Sequence, residues 1–78
     1  MRLAKRIARN PEVMLGKPVI KGTRIPVELI VRKLGEGVSV DDLLDGYPKL
    51  DREDIEAALI YAADTIANES TIYLETGT

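Results

Sequence analysis

One helix-starting device occurs twice in this chain, and it constrains the fold more than any other feature. In the first copy Ser39 is an N-cap, Asp42 stands at the third helical position, and Val38 and Leu43 flank them as an apolar pair. In the second, Asp51 is the N-cap, Asp54 holds the third position, and Leu50 and Ile55 form the pair. The first turn of a helix has backbone N–H groups without intrahelical partners. A Ser or Asp side chain just before it accepts from one of them. An acid at the third position reaches back to the cap, and the apolar pair staples the entry angle of the chain. Two such starts, with Gly46 and Pro48 ending the first helix and the turn Tyr47-Pro48-Lys49-Leu50 between them, specify a short helix, a tight turn and a longer helix.

A further helix precedes them. Pro26 suits a first helical position, because its missing N–H would have no partner there. Val27, Ile30, Val31 and Leu34 then form one apolar stripe, and Gly35 and Gly37 stop the helix. In the last helix the stripe reads Ile55, Ala58, Leu59, Ala62, Ala63, Ile66, fading near Asn68. Residues 2–9 fit either a helical or an alternating pattern. With Pro18-Val19-Ile20 they read as two short strands, at 4–8 and 18–21. Thr71 to Leu74 reads as extended, followed by a frayed end. The expected fold is therefore mainly α: a three-helix, helix-turn-helix bundle over 26–68, with a short β element in a basic arm (1–24) and an extended tail (69–78).

With 78 residues the chain has room for a single domain, and small domains are often completed by association. A homodimer is expected on that ground. There is no cysteine and no histidine. That removes thiolate chemistry and the usual nucleophile–base pairs, so no enzyme, cofactor or small-molecule substrate is expected. No run approaches the ~20 apolar residues of a membrane span, and no secretory signal is visible. The expectation is a cytoplasmic protein. The net charge of −2 conceals a strong asymmetry. Residues 1–33 carry nine Lys or Arg against two acids, a balance of +7, and residues 34–78 carry two against eleven, a balance of −9. Either the two halves attract each other or one half attracts a polyanion.

The run GKPVIKGTRIPV from Gly16 to Val27, followed by SVDDLLDGYPKL and DREDIEAALIYAAD, resembles the domain-of-unknown-function 433 family, over roughly residues 6 to 66. That family is similar in fold to homeodomain-like trihelical domains. Its members are commonly described as antitoxin-like, the DNA-binding half of toxin–antitoxin pairs whose partner is a PIN-like ribonuclease. The resemblance thus implies a toxin protein and operator DNA as partners.

GKPVIKGT has the look of a phosphate-binding loop, but Lys21 precedes Gly22, the spacing from Gly16 is one residue too long, and no helix follows Thr23 directly. It is read as turns set by Gly16 and Gly22, with Lys17, Lys21 and Arg24 as the alternative phosphate contacts. The acids from Asp41 to Glu56 are read as caps and helix-dipole partners before they are read as a metal site. They also weigh against DNA reading by the last helix, whose first turn is Arg52, Glu53, Asp54 and then Glu56. Acids there repel phosphates, and Arg52 alone suits a guanine edge. The nucleic-acid contacts expected are Arg6, Lys17, Lys21, Arg24 and Arg52. Ile60, Tyr61, Ile72 and Tyr73 are the expected dimer or partner contacts. The competing reading is a homodimeric protein-interaction module without nucleic-acid binding.

Overall fold

The computed structural model describes residues 5–68. The expected extended run at 71–74, with Ile72 and Tyr73, lies outside the described residues. Three helices follow a small antiparallel β element. Strands β1 (Ile7–Ala8) and β2 (Val19–Ile20) pair in the register Ile7 with Ile20 and Ala8 with Val19. Both are shorter than expected. Beyond Ile20 the backbone turns back at once: Thr23 N–H donates to Ile20 O (2.9 Å), and Ile20 N–H to Ile25 O (3.0 Å). Gly22 takes the turn at φ +82°, a conformation costly for other residues. Thr23 Oγ1 donates to Ile20 O (2.7 Å) and accepts from Ile25 N–H (3.0 Å). The KGTR segment is therefore a rigid loop, as its structural reading required.

Helix α1 is Val27–Gly35, one residue shorter at its start than expected. Pro26 keeps an extended backbone (ψ 146°) and bridges Val19, so the residue serves as the cap and not the first helical position. The helix ends on Gly37 at φ +97°, where Val38 N–H donates to Lys33 O (3.0 Å) and Gly37 N–H to Leu34 O (3.1 Å). Those two bonds satisfy two of the orphan carbonyls of the last turn.

Helix α2 is Val40–Gly46 and helix α3 is Arg52–Ala67. Ser39 Oγ accepts from Asp42 N–H at 3.0 Å, without the return bond. At Asp51 both arms of the device form: Asp54 N–H to Asp51 Oδ1 (2.9 Å) and Asp51 N–H to Asp54 Oδ2 (3.1 Å). Replacing Ser39 by Ala is expected to cost about 1 kcal/mol. Urea unfolding measures it, and an unchanged midpoint would mean water replaces the hydroxyl at no cost.

The core joins every element. Ile20 of β2, Val27 and Ile30 of α1, Leu43 of α2, Leu50 of the turn, and Ile55 and Ala58 of α3 are buried together. Val38 packs on this cluster, of which Leu43 is a member. Helices α1 and α3 share the most extensive contact.

In α3 the core face differs from the expected stripe. Asp54, Ile55, Ala57 and Ala58 are buried, and Tyr61 and Ala62 half-buried. Leu59 and Ile66, assigned to the core from sequence, are 43% and 65% exposed, and Ala63 is exposed as well. The helix carries apolar residues around more than one face, so periodicity could not choose which face α1 would cover.

Candidate functional site

Arg6 ends up far from the role expected of it. Its guanidinium reaches across to the start of α3, where Nη1 donates to Asp54 Oδ1 (2.8 Å) and Asp51 Oδ1 (3.1 Å). Nη2 donates to Glu53 Oε1. The two halves of opposite charge are thus joined within one chain. Asp54 is 6% exposed, and with the cap bond and Arg6 its carboxylate is fully occupied. Arg6 is a clamp on the capped helix end, so a phosphate would have to displace three carboxylates to reach it.

The clamp is pH-sensitive on its acid side. The Asp54 backbone N–H, above all, holds the Asp51 carboxyl below its ordinary 3.8, and Arg6 lowers it further. A carboxyl with a depressed folded pKa stabilises the fold above its unfolded value and loses that contribution as pH falls through the folded one. The stability advantage of the native chain over Asp51→Asn, which cannot titrate, is therefore expected in full above about pH 4 and to close on further acidification. Paired urea titrations read this gap. A gap that persists unchanged to the acid limit would show that the charge on Asp51 is immaterial.

The other expected cations divide cleanly. Lys17 pairs with Glu28 at 3.2 Å, and Arg52 with Asp41 at 2.8 Å. Arg9 Nε donates to Gly16 O (3.0 Å) and so pins the loop between the strands. Lys21 and Arg24 are exposed, and among the described residues they join no ion pair; the same holds for Lys49 in the turn between α2 and α3. Of five expected contacts, two remain available to an outside anion, and Lys49 was missed. Its isolation from carboxylates depends on the fold of the turn, which its neighbours in the chain (Asp45, Asp51) did not suggest.

The partner surface also moves. Ile60, expected as a dimer or partner contact, is half-buried, and Tyr61 packs against the core with its hydroxyl 3.5 Å from Arg9 Nη1. The outward face of α3 is instead Arg52, Glu56, Leu59, Ala63 and Ile66, all exposed. Their spacing of four, three, four and three is the seam spacing of helix-on-helix packing. The seam is polar in its first half, where Arg52 ties it to Asp41 of α2. It is apolar in its second half. Beside that end, Tyr61, Ala62, Thr65 and Ile66 face Val27 and Val31 of α1 across an open groove of about 430 Å³. The signal in the sequence was the excess of apolar positions in α3 over what one buried stripe needs.

Residues 7–62 match the protein family described as "Protein of unknown function (DUF433)". The chain belongs to this family. It is 39% identical over 56 residues to the uncharacterized protein y4eO of Sinorhizobium fredii, a match covering 72% of this chain and 25% of that protein. It is 61% identical over 28 residues to an uncharacterized protein of Archaeoglobus fulgidus, covering 36% of this chain and 78% of the relative. The crystal structure of a DUF433 member from Anabaena variabilis superposes with a TM-score of 0.74 at 36% identity, over 81% of this chain and 62% of that one. The chain thus spans a quarter of the length of y4eO and under two thirds of the Anabaena protein. The DUF433 resemblance read from GKPVIKGTRIPV is established, and so is the mainly helical fold with an N-terminal β element. No helix among the described residues is long and apolar enough to cross a membrane.

Proposed function

We propose that this DUF433 chain is a non-enzymatic, antitoxin-like binding module that seats the outer face of α3 against a partner protein, a PIN-like ribonuclease toxin. The observation that carries the reading is the two-part seam: Leu59, Ala63 and Ile66 exposed at helical spacing, continued by Glu56 and, through Arg52, by Asp41 of α2. An apolar anchor with an acidic border suits a partner whose apolar cleft has a basic rim, and a nuclease that grips RNA phosphates has such a rim. Contact with DNA, in this reading, falls to Lys21 and Arg24, because the first turn of α3 is closed by Arg6 and its three acids. A second reading, the homodimeric interaction module without nucleic-acid binding, is favoured by Ala63. That small side chain in mid-seam permits close approach of a second α3.

Co-expression with the protein encoded by the adjacent gene, followed by size exclusion with light scattering, separates the two. A stable complex that relieves the neighbour's toxicity supports the antitoxin reading. A homodimer alone, with no complex and no effect on growth, favours the second.

A further inference from the structure

We infer that the cleft between the β2–α1 loop and the α2–α3 turn is a phosphate-binding site. This deepens the DNA-contact half of the proposed function and rests on it only for the source of the phosphate. Three separated stretches converge there: Asn10 after β1, Gly22-Thr23-Arg24 after β2, and Lys49 between α2 and α3. The cleft holds about 540 Å³, and among the described residues no carboxylate lines it. Arg24 and Lys49, its two cations, are exposed and unpaired among the described residues, unlike Arg6, Lys17 and Arg52.

Its chemistry suits a phosphoryl oxygen. Arg24 supplies a planar fork of donors and Lys49 a compact positive charge. Asn10 Oδ1 already accepts from Glu12 N–H at 2.8 Å, which leaves its amide nitrogen, a donor, for a ligand. Thr23 is used in both directions within the loop, so its part is to hold Arg24 in place before the ligand arrives. Val13 and Val19 form an apolar wall. A cleft lined by one sign of charge over a low-dielectric wall concentrates its field on an incoming anion. Lys21, next to Gly22 and equally unpaired, extends the positive surface along a strand of phosphates. Because Lys49 sits in the turn that precedes α3, the site would place a nucleic-acid backbone against the side of the helix-turn-helix unit and away from the acidic α3 terminus.

The test uses the whole chain with two probes, inorganic phosphate and a short mixed-sequence DNA duplex. Backbone amide NMR shifts locate the phosphate, and DNA affinity is measured over a salt series. The variants are Arg24→Ala with Lys49→Ala, and Arg32→Ala as an exposed cation outside the cleft. Thermal melts establish that each is folded. Phosphate is expected to shift the amides of Gly22, Thr23, Arg24 and Lys49. The double variant is expected to lose that response and to flatten the log K against log salt slope for DNA by about 1.8, or 0.9 for each lost contact, with Arg32→Ala leaving the phosphate response intact. Phosphate seated in the cleft without any DNA binding upholds the site, assigns it to a free phosphorylated ligand, and overturns the DNA half of the functional reading. DNA binding with an unchanged slope in the double variant overturns the cleft while leaving DNA binding itself in place. Absence of binding by both probes overturns both.

Discussion

Replacing Ile30 by Ala is expected to remove about 2–5 kcal/mol of stability. Ile30 is fully buried in the middle of α1, where it meets β2, α2 and α3 residues in one cluster. Truncation removes the transfer free energy of the lost methylenes and leaves a cavity that the surrounding helices fill only in part. A chain of 78 residues has roughly 4–12 kcal/mol in total, at about 0.05–0.15 kcal/mol per residue. The substitution therefore removes a large share of it, and at the upper end unfolds the protein. Urea unfolding with a fixed m-value gives the loss directly. The contrast is Ile66→Ala, at a position 65% exposed, which should stay within about 0.5 kcal/mol. Equal costs at the two sites would falsify the assignment of Ile30 to the core and of Ile66 to the outer face of α3.

Introducing Lys at Leu59 and at Ile66 together is expected to abolish partner binding while leaving the fold intact. Both side chains lie on the outer seam, so neither holds the core, and Lys near the end of α3 is compatible with the helix dipole. In the complex each apolar anchor is worth about 2 kcal/mol, so losing both weakens Kd by roughly a thousandfold. Placing cations against a basic rim adds repulsion to that loss. Light scattering of the mixed proteins reads the outcome, with a melt of the isolated chain as the control for folding. A double variant that binds its partner as tightly as the native chain would remove the seam from the interface. A variant that only converts a homodimer to a monomer would transfer the seam to self-association.

Much of the fold was legible in the sequence because it is encoded by short-range chemistry. Ser39 and Asp51 cap the helices named for them, Gly37 takes the left-handed turn that ends α1, and Gly22 with Thr23 builds the loop after β2. Each depends on residues within a few positions, whose sterics and hydrogen bonds act whatever the rest of the chain does. The DUF433 motif lies in those same segments, which is why family and architecture could be read together. Pro26 differed by one residue because its neighbours bond to β2 and its approach, Ile25 O accepting from Ile20 N–H and Val27 N–H donating to Pro18 O, and so hold Pro26 extended opposite Val19, a contact of tertiary origin.

What only the tertiary structure decided is which groups are consumed by the fold and which are left over. α3 has apolar residues on two faces. The packing of α1 buries Ile55 and Ala58 and leaves Leu59 and Ile66 to solvent, a choice that periodicity within α3 leaves open. The charges follow the same logic. The sequence alone determines that a basic half faces an acidic half. It cannot assign partners, because every cation has several carboxylates to choose from and Coulomb attraction depends on distance in space. Folding brings Arg6 to Asp54, 48 positions away, and so occupies one of the five expected phosphate contacts. It leaves Arg24 and Lys49, from distant loops, around one cleft and without an ion pair among the described residues.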